Sequence, residues 1–482
     1  MKLHNSQITI LLGAAMLLPG SAIIASASEP AAPYFWQVPN AEVTKTGDLQ
    51  WKPKPFVFHA DSEARYIDFQ SGDDKNPGTK DSPWKHHPWD AAATGKAAAA
   101  TGVHTYVFKG GVTYRGALVA KESGTKESPI RLTRDPSWGE GEAVISGAQA
   151  IKGGWKRCDA ASAPNIPTPE KCWYQDIGTK FVPRALWAVD AKGVITRIPI
   201  ARTPHWQASD PNDPRTGWRE WTDVLRTPTG AMKDGKPVAN AQGELQTQAW
   251  AVDAKNFTQS DPSYYEGATL WTEYMGMMGT PYAQIITKYD PDKHALAIKS
   301  CWDGDDYKPT YFMYEPVRGC RYYLENLPKF LDAPGEYYFA AKGAHAGRLF
   351  LRLPGDEDPN QVTIQAAKDL NLIDIPNQSH IEVSGLTFRY ENVWQWEDRW
   401  FKNLNVAPAC VRITGNCSGI RVANCKFDHV AEAVRTTAAS PADFLDEIEV
   451  CDNDIARTDH SAINTTSPRS QAHLLQFEKR KS

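Results

Sequence analysis

Ile381-Glu382-Val383, Ile420-Arg421-Val422 and Ile448-Glu449-Val450 share one pattern, a β-branched residue on each side of a charged one. Five residues after each Ile come Leu386, Cys425 and Asn453, and seven after come Phe388, Phe427 and Ile455. Offsets 0, 2 and 7 are apolar in all three copies. Alternation with period two gives a strand one inward face. Recurrence of the same offsets stacks like on like in successive coils, as in a solenoid. The competing reading is three unrelated amphipathic strands of a sandwich. The copies begin 39 and 28 residues apart, so the extra length falls in loops near 391–409 and 436–447. Asn453 is expected to join an inward polar ladder.

Upstream, the chain from Tyr66 reads YIDFQSGDDKNPGTKDSPWKHHPWDAA. A short alternating strand is followed by a dense turn signal, Ser71 to Thr79. An Ala-rich helix is expected at about 89–100. Thr105–Lys109, Ala117–Ala120, Pro129–Thr133 and Ala143–Ile145 then read as short strands between Gly, Pro and Ser. Short strands at near-regular spacing argue an all-β sandwich, barrel or solenoid. Residues 152–370 differ in texture and hold nine of the 17 tryptophans. After Ile463 the pattern stops, and the basic tail 464–482 suggests a shortened solenoid.

Composition bounds the function. The 482 residues carry 53 Lys and Arg against 57 Asp and Glu, so no basic excess supports nucleic-acid binding. With 41% hydrophobic and 23% charged residues the chain is not disordered. Residues 1–27 have the order of a secretory signal peptide: Lys2, an apolar run from Ile8 to Leu18, then Ala25-Ser26-Ala27. That run is too short to span a bilayer, and no later one approaches that length. A secreted or periplasmic, soluble, monomeric protein is therefore expected. Export permits disulfides, and Cys158–Cys172 and Cys301–Cys320 flank loop-like stretches. Cys410, Cys417, Cys425 and Cys451 could equally be buried thiols.

The order SGDDKNPGT (71–79), SPWK (82–85), short helix and YVFKGGVTYRG (106–116) resembles the opening of right-handed parallel β-helix proteins of the pectin-lyase-like type. YYLENLPKFLDAPGEYYF (322–339) and GRLFLRLPGDEDPN (347–360) resemble paired segments of glycoside hydrolase family 141-type proteins, which carry a β-sandwich-like insertion. The resemblance implies an all-β, right-handed parallel β-helix. Its cap and first coils would lie at 61–151 after a lead-in at 28–60. An inserted β-rich domain would occupy 152–370, with coils resuming at 371–463. It also implies a polysaccharide or oligosaccharide substrate held in a groove along one sheet.

Candidate chemistry clusters after the repeats. Asp428, His429, Asp459 and His460 are the expected catalytic residues, with Arg435 and Arg457 nearby as substrate contacts. Glu432 and His460 lie twelve residues after their respective Ile, so the repeat stacks them side by side. Two carboxylates across a groove can act as general acid and as base or nucleophile. Crowding raises one carboxyl pKa and leaves another ionised. The same residues also suit solvated turns between coils. Trp394, Trp396 and Trp400, with Glu397, either floor sugar subsites or pack their loop onto the insertion. Asp73, Asp74 and Asn76 offer oxygen ligands for Ca²⁺, although an Asx turn explains them as well. No other metal or cofactor is expected. The acidic cluster favours a glycoside hydrolase. A polysaccharide lyase, which suits a basic groove, and a non-catalytic carbohydrate-binding protein are the alternatives.

Overall fold

The computed structural model describes residues 41–466, apart from 229–231, 239–246, 274–281, 299–316, 394–407 and a few isolated positions. The chain divides into two units, Met1–Pro53 and Lys54–Ser482. In the first, Ala41–Val43 and Leu49–Trp51 pair as an antiparallel hairpin.

In the second unit the repeated isoleucines stack. Ile130, Ile381, Ile420 and Ile448 are successive partners in parallel pairing. They belong to a six-stranded sheet ordered Arg65–Ile67, Thr105–Phe108, Ile130–Arg134, Ile381–Ser384, Cys417–Ala423, Leu445–Cys451. Between visits to this sheet the chain visits a second, eight-stranded one. Its path runs Thr113–Arg115, Val144–Ser146, Thr387–Arg389, Lys426–Thr437, Val411–Thr414, Ile373–Pro376, Leu118–Val119, with Asp454–Thr466 beside Lys426–Thr437. The first part of Lys426–Thr437 pairs with Thr387–Arg389 and the second part with Val411–Thr414. The strand therefore carries the sheet around a bend. The protein is all-β in its main architecture, with parallel sheets closing on an apolar core.

Inward stacking is aromatic as well as aliphatic. The Phe388 and Phe427 rings lie 4.7 Å apart at 9°, both fully buried. Outward, the charged residue of each repeat builds a ladder of alternating sign. Arg131 meets Glu382 at 3.8 Å, Glu382 meets Arg421 at 3.5 Å, and Arg421 meets Glu449 at 3.2 Å. A slip by one residue would turn the isoleucines outward and the charges into the core. The corner between the sheets repeats too: Gly385, Asn424 and Asp452 have φ of 68°, 52° and 54°. Gly385 has a second constraint, since a Cβ there would lie 2.7 Å from the Phe56 ring. At the last of these corners the Asn453 side chain accepts from Cys425 N at 2.9 Å and donates to Val422 O at 2.9 Å, tying one coil to the next.

Between Ala148 and Ala367 the strands pair antiparallel among the described residues, apart from an isolated parallel bridge of Ile200 with Tyr337. Ala148–Lys152 pairs with Thr363–Ala367, so this segment leaves and rejoins the parallel sheets at adjacent points. It has its own apolar clusters, one around Trp221, Phe257 and Tyr322, another around Trp155, Tyr337 and Leu349. The helix expected at 89–100 is shorter, Gly95–Ala98 only. Gly95 has φ +52°, outside helical space, and Trp89 is drawn into the core. Cys158 and Cys172 are buried, free and joined through main chain, Cys158 N to Cys172 O at 3.0 Å. Cys410, Cys417 and Cys425 are buried free thiols, and Cys301 lies outside the described residues. Among the described residues, no helix is long and apolar enough to cross a membrane.

Phe427→Ala should lower unfolding stability by about 3–5 kcal/mol, because a ring stacked on both sides of a coil boundary leaves a cavity. Urea unfolding would measure it, and a loss below about 1 kcal/mol would contradict the stacked core.

Candidate functional site

The bend in Lys426–Thr437 gathers the titratable groups. Asp428 is paired in the ladder with Arg389 and Ala456, one residue before the bend. Its Oδ1 accepts from Arg457 Nε at 2.6 Å and lies 3.8 Å from His429 Nε2. The Asp428 side chain is only 4% exposed, whereas Arg457 is 59% exposed. Burial alone would raise the Asp428 pKa. The Arg457 hydrogen bond and the charges of His429, Arg457 and Arg389 outweigh it and hold the carboxyl below its ordinary range. Burial pushes His429 down, and the neighbouring arginines add to it against the pull of Asp428, so the ring is neutral at neutral pH.

Tyr390, His429 and Arg457 occupy equivalent positions in successive coils, and all three are left-handed, with φ of 62°, 56° and 52°. Each such residue costs on the order of 1–2 kcal/mol. Tyr390 N donates to His429 O at 2.9 Å, which fixes the turn. Strain concentrated in a ladder of this kind suits a site more than a core.

Beyond the bend, the coil register breaks. Val430 pairs with Thr458, but Glu432 pairs with Ser461, so Asp454–Thr466 carries one extra residue here. Glu432 therefore faces Ser461 in the ladder, and not His460 as the repeat arithmetic implies. The bulge still turns the His460 ring back, with Nδ1 2.9 Å from Glu432 Oε2. The same oxygen accepts from Arg435 Nη2 at 2.7 Å. Behind them lies Glu391, fully buried. Its Oε2 accepts from Ala431 N and Glu432 N, each at 3.1 Å, and from Cys410 Sγ at 3.3 Å. Burial drives Glu391 well above the usual carboxylate range, against these hydrogen bonds, so it keeps its proton. Glu391 Oε1 and Glu432 Oε1 are buried without a hydrogen-bond partner.

The antiparallel segment supplies the other wall. Arg197 Nη2 binds Asp459 Oδ2 at 2.9 Å, and the guanidinium lies over Trp187 at 4.6 Å. Trp187 in turn packs on Tyr390 at 4.9 Å and His429 at 6.4 Å. Arg197 also lines a cavity of about 520 Å³ with Thr196, Trp206, Gln207, Pro334 and Gly355.

Asp428, His429 and Arg457 thus form one contact group, and Glu432, His460 and Arg435 another. Asp459 reaches the first through Arg197 and Trp187. Arg435 is buried and holds Glu432 in place. Trp394, Trp396, Glu397 and Trp400 lie outside the described residues. Asp74 accepts from Lys85 N, His86 N and Thr94 N at 3.1, 2.8 and 3.0 Å, and contacts His86 Nδ1 at 2.7 Å. Asp73 accepts from Lys75 N at 2.9 Å. Both carboxylates clamp the turn.

Arg197 and Trp187 had no signal in the sequence, since nothing periodic links them to a bend more than 200 residues on. Glu391 had one: ten residues after Ile381, it stands where the next copies place Val430 and Thr458.

No known family profile matches the chain, and no curated protein sequence does. Among solved structures, one titled "Glycoside hydrolase" aligns with TM-score 0.48 and 16% identity, over 78% of this chain and 64% of that one. Another, titled "The complex structure of XylC with xylose", aligns with TM-score 0.32 and 11% identity, over 77% of this chain and 41% of that one. The chain thus spans less than two thirds of the length of either.

Two pH effects follow. Asp428 has a depressed folded pKa, so its stabilisation is present above about pH 4, where the unfolded carboxyl ionises, and is lost as pH falls through the lower folded value. Asp428→Asn should cost about 1 kcal/mol at neutral pH, and the deficit should vanish in acid. Glu391 has the opposite sign. Its folded pKa is raised, so wild type loses stability to this group as pH climbs above about 4.3. Glu391→Gln should therefore gain on wild type from acid to neutral pH. Unfolding midpoints measured across that range check both.

Proposed function

We propose that this chain is a secreted or periplasmic glycoside hydrolase acting on a polysaccharide. The scaffold is a right-handed parallel β-helix whose second coil is interrupted by a β-rich inserted domain at 152–370. The observation that carries the reading is the environment of Asp428: a carboxylate kept ionised by Arg457, on a strained bend, four residues along the same strand from Glu432, which is hydrogen-bonded to His460 of the neighbouring strand. Asp428 is the base or nucleophile. His460, oriented through Nδ1 by Glu432, gives a proton to the departing sugar oxygen. Glu391 and Arg435 hold Glu432, and Asp459 with Arg197 shapes the approach from the cavity. Trp394, Trp396 and Trp400, with Glu397, contribute sugar contacts. The protein works as a monomer, and the reaction draws on no resident cofactor.

One observation favours a second reading. The cluster is less acidic than its sequence, because Asp428, Glu432 and Asp459 are each paired with an arginine. Exposed Arg457 could then neutralise a uronic acid for a lyase, with His460 taking the proton.

Incubation with a polysaccharide panel separates these readings. New reducing ends without an ultraviolet-absorbing unsaturated product identify the hydrolase, and the absorbing product identifies the lyase. Asp428→Asn should lower kcat by about 10³-fold and His460→Ala by about 10²-fold. Full activity in both variants would remove this site from consideration.

A further inference from the structure

We infer that His205, Asp332 and Glu336 form a binding site for a divalent first-row transition-metal ion. One ligand atom from each lies within 4.8 Å of the others. His205 Nε2 is 3.6 Å from Asp332 Oδ1, and His205 Nδ1 is 3.7 Å from Glu336 Oε1. Those separations exceed a hydrogen bond. They run to different ring nitrogens, of which one would bind the ion, so reaching the spacing of about 3.3 Å between two ligands of a tetrahedral ion takes a small shift of the exposed His205 and Asp332 side chains.

The second observation is Glu336 itself. It begins the strand Glu336–Ala340, is 0% exposed, and neither carboxylate oxygen has a hydrogen-bond partner. A buried, unpaired carboxylate is costly unless a proton or a cation neutralises it. Of the arginines around it, Arg202 has its Nε committed to Pro204 O at 2.9 Å and its guanidinium 3.5 Å over Tyr323, and Arg352, the ladder partner of Glu336, binds Asp356 at 2.6 Å.

One imidazole and two carboxylates suit zinc or manganese better than magnesium, which prefers an all-oxygen, octahedral shell. His205 and Asp332 are each 48% exposed, so an ion can enter, and coordination positions remain open. Trp206 and Gly335, next to His205 and Glu336, and Pro334, two residues after Asp332, line the cavity of about 520 Å³. His205 lies 127 residues before Asp332, which hid the group from any spacing motif. The inference rests on this geometry alone and does not depend on the proposed reaction.

Equilibrium dialysis of the chelator-stripped full chain against Zn²⁺ tests it. Wild type should retain about one equivalent and gain thermal stability with added Zn²⁺. His205→Ala and Asp332→Asn change exposed side chains and should fold normally, yet bind Zn²⁺ at least about tenfold more weakly. Equal concentrations of Mg²⁺ should not displace the ion. No retained zinc in wild type, or equal retention by His205→Ala, overturns the site. Displacement by Mg²⁺ overturns the assigned class of metal.

Discussion

In-register parallel stacking is the constraint from which the rest of the structure follows. Once Ile130, Ile381, Ile420 and Ile448 lie one above another, the position of every neighbouring side chain is set by its distance along the chain. The Phe388–Phe427 stack, the outward ladder of alternating charge and the left-handed corners at Gly385, Asn424 and Asp452 are the same register seen at other offsets. No single contact in this set is strong. Their recurrence makes a slip in one strand costly in its stacked neighbours.

The candidate site occupies the place where that logic is broken. His429 turns the sheet in a backbone conformation that a histidine adopts at a cost, and one coil later an extra residue unsettles the pairing between Val430 and Glu432. A regular coil would point Glu432 and His460 along parallel rails. The bulge brings them into hydrogen-bond contact. Such departures survive only when the surrounding coils over-determine the chain, as the Ile and Phe ladders do here.

Electrostatically, the bend sorts its carboxyl groups by environment. Asp428 is buried but beside a solvent-facing arginine, and stays ionised. Glu391 is buried among main-chain donors and a thiol, and stays protonated. Two groups of the same chemistry are thus held in opposite states within a short stretch of one curled sheet. The antiparallel segment contributes to the same balance through Arg197, which binds Asp459 and covers Trp187.

Much of this architecture was written in the order of residues. The period-two alternation and the shared offsets after Ile381, Ile420 and Ile448 predict stacked parallel strands, because strand geometry and coil repetition translate spacing directly into position. The placing of Asp428 beside the strand that carries Ala456 and Arg457 was legible for the same reason. What the repeat could not supply was anything that depends on a departure from it or on distant chain: the one-residue bulge that changes the partner of Glu432, the helix that begins only at Gly95, the arrival of Arg197 and Trp187, and the meeting of His205 with Glu336. Periodicity reports only interactions that recur at a fixed separation. Charge pairing, burial and metal-ligand geometry are set by the three-dimensional packing of segments that share no period, and these the tertiary structure alone decided.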